Sequence, residues 1–183
     1  MNTPSNILDG VTVLDLSRLV AGPYAAMVLA HYGANVIKVE GIDGEEGRGF
    51  GPPFCGEVAS LFMFTNRGKQ SLCLDWRKGT GREVLERLVA KADVLIHSFR
   101  PDFAERQRLR YEDLAPLNPR LIHYAVSAYG SEGAYRLKPS VDSVIHAVSG
   151  AFYGAGEESD PPIRNSLPVV DVSAGMCGAT GIL

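Results

Sequence analysis

Two rhythms of hydrophobic positions divide the first hundred residues. Residues 11–16 (VTVLDL) form an apolar run of strand length, and after Gly22 and Pro23 the segment 24–33 (YAAMVLAHYG) has the apolar density of a packed helix closing at Gly33. Residues 35–40 (NVIKVE) then predict a second strand. Strand, helix and strand within about 30 residues make a βαβ unit, whose right-handed crossover makes the strands parallel. The rhythm returns with a strand at 71–76 (SLCLDW), a helix at 81–92 with Glu83 and Arg87 one turn apart, and a strand at 93–98 (DVLIHS). The fold class is α/β.

Farther on, 111–118 (YEDLAPLN) predicts a short helix stopped before Pro119, and 121–130 (LIHYAVSAYG) a strand running into a loop. Residues 141–150 predict a helix with Val141, Val144, Ile145 and Val148 on one face, and 154–168 an exposed Gly/Pro loop. The small-residue helix that ends at Leu183 lacks a C-terminal cap, so a truncated chain is expected.

Composition narrows the function classes. With 183 residues, 45% of them hydrophobic, the chain can bury a substantial core, and a net charge of −3 excludes a strongly basic nucleic-acid binder. No apolar run reaches the ~18 residues of a membrane span, and the N-terminus lacks the charge and apolar pattern of a signal peptide. A cytoplasmic protein without membrane contact is expected. Cys55, Cys73 and Cys177 are widely spaced, and His31, His97, His123 and His146 fall at no ligand spacing; reduced thiols and no metal follow. Charge is uneven, however. Between Arg67 and Arg110 stand eleven Lys/Arg and six Asp/Glu, a local excess suited to a phosphorylated ligand outside the carboxyl ends of strands, although a solvated helical face accounts for Arg82, Arg87 and Lys91.

Several familiar sites fail. The turn SRLVAGPY offers only Gly22, followed by a proline without an N–H, where a dinucleotide fingerprint needs three glycines. GRGFG (47–51) is too far from a strand to be a phosphate loop and reads as a mobile loop, GxSxG is absent, and Cys177 reads as a small buried thiol. His97 and His123 fall in strands and read as satisfied, buried or half-buried side chains. Asp171, after an apolar stretch and at a helix start, has two readings. It is a good N-cap, and it is also a carboxylate that a helix N-terminus keeps ionised beside N–H groups able to stabilise an oxyanion.

The motifs LDGVTVLDLSRLVAGPYAAMVLAHYGANVIKVE, TNRGKQSLCLDWRKGTGREVLERLVAKADVLIHSFRP, LNPRLIHYAVSAYG and PVVDVSAGM, in this order across residues 8–183, resemble the family III (CaiB/BaiF) CoA-transferases. The resemblance implies a Rossmann-like parallel sheet with flanking helices, residues 1–183 being the N-terminal coenzyme A-binding domain. The small domain and C-terminal return segment would be missing. It also implies acyl-CoA and carboxylic acid substrates, coenzyme A as co-substrate, no metal, and an interlocked homodimer. Position by position, Asp171 matches the family's nucleophile. Leu19 and Val20 match residues near the adenosine and pantetheine arm, Leu74 the adenine side, and Arg77 a cation near the nucleotide phosphates. Ser98 and Phe99 match the coenzyme channel, Arg100 the adjoining basic position, Arg106 a phosphate contact, and Lys138 falls within one position of another.

The implied reaction is acyl-CoA:carboxylate transfer through a covalent aspartyl-CoA thioester. An isolated piece is expected to be inactive. The related alpha-methylacyl-CoA racemases carry a histidine before the aspartate that aligns with Asp142, where this chain has Val141. Glycines that the family favours after the arginine-proline pair are replaced by Asp102, Arg108 and Arg110, and the customary tyrosine and glutamine around Asp142 by Val141 and His146. A racemase and a noncatalytic coenzyme-binding subunit remain alternatives.

Overall fold

The computed structural model describes residues 6–154, 159–164 and 166–183. In chain order the elements are β1 (Thr12–Asp15), α1 (Ala21–His31), β2 (Asn35–Glu40), a 3-10 turn (Glu46–Gly49), β3 (Phe54–Cys55), β4 (Val58–Ala59), α2 (Ser60–Thr65) and β5 (Gln70–Cys73). They continue with α3 (Gly79–Val89), β6 (Val94–His97), α4 (Pro101–Arg106), α5 (Tyr111–Leu114), β7 (Ile122–Ala125), α6 (Asp142–Val148) and α7 (Val169–Ile182). Five strands form one parallel sheet in the order β5-β2-β1-β6-β7, and β3 with β4 makes a separate antiparallel pair.

Alternate residues of the central strands feed two cores, as the two-residue period of a strand requires. Leu14 and Leu95 face a cluster with Leu85 and Val89 of α3, Leu109 and Leu114, while Val13, Val36, Val94 and Ile96 face Ala25, Ala26 and Leu29 of α1 and Ala179 of α7. Both faces of the sheet are therefore covered, the usual condition of parallel strands. Helix α7 lies close against α1: a Cβ on Gly175 would meet the Ala21 carbonyl at 2.6 Å, and one on Gly178 would run into the Tyr124 ring. The Tyr124 hydroxyl also donates to the Ala174 carbonyl at 2.9 Å. Gly175 meets Ala21 and Tyr24 at the start of α1, and Ala179, one turn later, shares a core cluster with Ala25, Ala26 and Leu29, an order that fits two helices with their N-termini at one end of the sheet.

Several expectations change. The strand at 71–76 is shorter and begins at Gln70, and that at 121–130 is confined to β7. GRGFG does not stand as an independent loop; its first three residues belong to the 3-10 turn, with Gly47 buried. Helix α6 forms, yet Val141 and Val148, on its supposed core face, are 56% and 62% exposed, whereas His146 is buried. Residues 155–158 and 165 of the expected loop lie outside the described residues.

Candidate functional site

Strand β1 has β2 on one side and β6 on the other, so the connections leaving the carboxyl ends of β1 and β6 diverge and open a crevice between them. The two turns are tied together there, because the Arg18 amide donates to Ser98 Oγ at 2.8 Å. Leu19 and Val20 flank one side of this join, and Ser98, Phe99 and Arg100 the other. Leu19 has a φ of 64°, a left-handed conformation uncommon outside glycine, and its amide donates to Glu45 Oε1 at 2.7 Å. The Phe99 amide donates to His97 Nδ1 at 3.2 Å, which places the histidine's proton on Nε2. That nitrogen is buried without a hydrogen-bond acceptor, so His97 is only partly satisfied. Burial first, and the neighbouring His123 second, push the His97 imidazole down to about 3, leaving it neutral at physiological pH.

Aromatic rings line the next layer. Phe99 lies 5.5 Å from Trp76 and 5.0 Å from Phe103 between ring centroids, and the Arg18 guanidinium stands 5.6 Å from the Phe99 centroid. Leu74, beyond the end of β5, packs against the same cluster. Arg77 is not joined to the other cations; it pairs with Asp75 at 3.2 Å on the exposed edge.

Two of the anticipated cations come together, whereas the Lys138 ammonium lies over the Tyr135 ring, 3.8 Å from its centroid. Arg100 and Arg106 share Asp102 at 3.3 Å and 2.9 Å, and Arg100 also donates to the Leu137 carbonyl at 3.4 Å, next to Lys138. The hydrogen bond from Arg106, aided by the charge of Arg100, holds the Asp102 carboxyl below its ordinary range. One carboxylate cannot neutralise both guanidinium groups, so the pair retains positive charge. The remaining local excess is largely structural. Arg82 pairs with Glu86 and donates to two main-chain carbonyls, and Arg110 pairs with Glu105 and Asp113.

Asp171 is the third residue of α7, whose N-cap is Pro168, so the capping role anticipated for it does not hold. Its place in the first turn still exposes it to the positive end of the helix dipole. The Asp171 amide donates to Asp142 Oδ2 at 3.1 Å. Burial, and then the charge of Asp142, push the Asp171 carboxyl up to about 6. The other oxygen of Asp142 lies 3.3 Å from Nδ1 of His146, which is 6% exposed. Gly175, one turn after Asp171, touches the start of α1, which places Asp171 at the same end of the sheet as Leu19 and Val20. Asp142 and His146 form part of this arrangement, although the resemblance marks them only through the racemase branch and the acyl pocket; their four-residue spacing on a helix is the further signal. Cys177, expected to be buried, is exposed.

Beneath the crevice lies a compensated charge cluster. Lys69 Nζ is 2.7 Å and Lys38 Nζ 3.7 Å from Asp15 Oδ2, and Lys38 Nζ is 3.1 Å from Glu45 Oε2. Burial disfavours the Asp15 carboxylate, but the two ammonium groups outweigh it and hold its pKa below the ordinary value. For Lys69, burial dominates and pushes the ammonium down to about 8 despite Asp15. Among the described residues no cluster of His, Cys, Asp and Glu suits a metal ion, and no helix is long and apolar enough to cross a membrane.

The architecture is that of an α/β domain with two joined turns at its switch point, two arginines sharing Asp102 nearby, and a perturbed carboxylate at the N-terminal turn of α7. The family model for CoA-transferase family III matches residues 8–183, and the chain belongs to that family. It is 35% identical over 182 residues to a succinate–glutarate CoA-transferase of Agrobacterium fabrum, covering 96% of this chain and 46% of the relative. It is 34% identical over 170 residues to the human succinyl-CoA:glutarate CoA-transferase, covering 92% and 39%. A crystal structure of a CaiB/BaiF family protein from Brucella suis superimposes with a TM-score of 0.91 at 36% identity, over 100% of this chain and 48% of that one. The chain thus spans less than half the length of these relatives.

Proposed function

We propose that this chain supplies the coenzyme A-binding portion and the nucleophile of an acyl-CoA:carboxylate CoA-transferase. The observation that carries the reading is the half-buried Asp171 carboxylate at the N-terminal turn of α7, at the same end of the sheet as the β1–α1 turn. A carboxylate is a weak nucleophile, so proximity to the thioester and donors for the oxyanion must supply the rate. Family membership and the names of the two relatives support the reaction class.

In this reading the crevice holds acyl-CoA as substrate. Arg100, Arg106 and Lys138 face its phosphates, Arg77 contributes from the edge, and Leu74 with the Trp76–Phe99 wall receives the adenine. Leu19, Val20, Ser98 and Phe99 guide the pantetheine arm. The Asp171 carboxylate attacks the thioester carbonyl, forming a mixed anhydride and expelling the coenzyme thiolate. The thiolate attacks the aspartyl carbonyl, giving the aspartyl-CoA thioester and releasing the donor carboxylate. The acceptor carboxylate attacks that thioester and again expels the thiolate, which then takes the acceptor's acyl group and regenerates Asp171. Main-chain N–H groups of the first α7 turn stabilise the oxyanions. The working assembly is a homodimer of longer chains, and the 183 residues alone are inactive.

A second reading, an alpha-methylacyl-CoA racemase, draws on one observation. His146 lies beside Asp142, and so a base stands near Asp171 even though Val141 is not histidine. Incubation of a turnover-competent preparation in deuterium oxide separates the two. Transfer leaves the substrate α-carbon unlabelled, and racemisation labels it. Activity undiminished in Asp171→Ala overturns the nucleophile assignment and favours a noncatalytic coenzyme-binding subunit.

A further inference from the structure

The β1–α1 turn holds an ordinary residue, Leu19, at a φ of 64°. A non-glycine residue persists in the left-handed region only where its surroundings over-determine it, and such positions gather at functional sites. The determining group here comes from 26 residues away. Glu45 Oε1 accepts the Leu19 amide at 2.7 Å, shorter than its local bond from the Gly47 amide at 3.2 Å. Glu45 is itself immobilised. Its other oxygen is 3.1 Å from Lys38 Nζ, the two side chains being 2% and 3% exposed, and Lys38 also donates to the Ser17 carbonyl in the same turn. The Glu45 amide donates to Glu40 Oε2 at 3.1 Å, and Glu40 takes two bonds of 2.7 Å from Arg48 and one of 2.9 Å from Ser71. A chain of contacts, hydrogen-bonded except for the Lys38–Glu45 ion pair in which Glu45 Oε2 accepts no hydrogen bond, therefore runs from β2 and the 3-10 turn to a single backbone amide.

A helix cap alone would not need this. Capping the 3-10 turn requires only the Gly47 bond, whereas burying Glu45 beside Lys38 against the β1–α1 turn is costly, and the Leu19 bond offsets part of that cost. From this geometry we infer that Glu45 is a positioning residue. Fixed by Lys38, its carboxylate locks Leu19 in the left-handed turn and so sets the direction in which Leu19 and Val20 meet the coenzyme. The inference rests on the coenzyme A reading of the crevice and extends it to a residue that touches no substrate.

The test is a matched pair of double variants of the 183-residue chain, Lys38→Met/Glu45→Gln and Lys38→Met/Glu45→Met. Both remove the buried ammonium, so neither leaves it without its partner, and Lys69 still serves Asp15. Only the glutamine keeps an acceptor for Leu19. Amide hydrogen exchange at Leu19 and the Kd for coenzyme A by calorimetry are read in each, with circular dichroism confirming the fold. The expected result is a protected Leu19 amide and a near-wild-type Kd in the Gln pair. In the Met pair the amide is exposed and the Kd is raised about tenfold or more. Equal protection and equal Kd in the two pairs overturn the inference. If the wild-type chain fails to bind coenzyme A, the crevice reading falls, while Leu19 exchange in the two pairs still decides whether Glu45 fixes the turn.

Discussion

The main-chain N–H of Asp171 is bonded to the carboxylate of Asp142, 29 residues earlier, at 3.1 Å. One acidic side chain thereby holds the other in place and, by its charge, resists the other's ionisation. Asp142→Asn is expected to keep an oxygen acceptor for the amide while removing the charge, and so to lower the Asp171 pKa from about 6 toward the ordinary 3.8. Carboxyl carbon NMR titration of the two proteins checks the direction, and an unchanged Asp171 titration refutes it.

The same shift predicts how stability varies with pH. The folded Asp171 binds its proton more tightly than the unfolded one, so its contribution favours folding at low pH and is lost as pH rises from about 4 through about 6. Asp15 has the opposite sign. Held below 3.8, it contributes stability above that value that is lost as pH falls. Thermal melts of wild type and Asp171→Asn across pH 3 to 8 should converge at the acid end apart from a constant offset, with the variant gaining relative stability between about pH 4 and 6. Parallel curves would contradict the assignment.

Removing Asp15 tests the buried cluster directly. Asp15→Ala strips both Lys38 and Lys69 of a partner inside the fold, a change expected to cost about 3–5 kcal/mol in denaturant unfolding. A loss below ~1 kcal/mol would mean that these charges are hydrated rather than mutually compensated.

Helix α7 carries the candidate nucleophile, so its seat on α1 matters to chemistry as well as stability. Gly175→Ala would press a methyl group against the Ala21 carbonyl and the Tyr24 ring and should cost about 1–3 kcal/mol while displacing Asp171. Gly181→Ala, with no atom within 4 Å of the added carbon, should be neutral or stabilising by up to about 1 kcal/mol. Urea unfolding of the two variants separates packing from helix propensity.

Much of this arrangement was readable from local pattern. Strand β2 falls at the residues the sequence indicated because its apolar density and short length leave no competing helix. The six-residue helices α2 and α4 carry too few turns for a helical period to emerge, and the two-residue strands β3 and β4 carry no period at all. Helix α6 was recognised, but its valines were assigned to a core face that the structure turns outward. The site divides in the same way. Asp171 and the residues after β1 and β6 follow from motif and strand order. The left-handed Leu19, the Asp142–Asp171 pairing and the Asp102-centred cations depend on contacts between distant segments or on side-chain direction, which spacing does not encode.

Asp102 offers a test of the cationic group. If Arg100, Arg106 and Lys138 receive the phosphates, Asp102→Asn should tighten coenzyme A binding about two- to fivefold at low ionic strength, and Arg106→Gln should weaken it about three- to tenfold. Both effects should shrink as salt rises. Calorimetric titrations at two salt concentrations decide.

The account stands or falls on covalent chemistry at Asp171. A preparation competent for turnover, quenched during reaction with acyl-CoA and treated with hydroxylamine or borohydride, can be digested and its peptides weighed. The expected finding is a modified Asp171, as the hydroxamate or the reduced alcohol respectively, absent from Asp171→Asn. An active preparation in which Asp171 stays unmodified under both treatments would contradict the account.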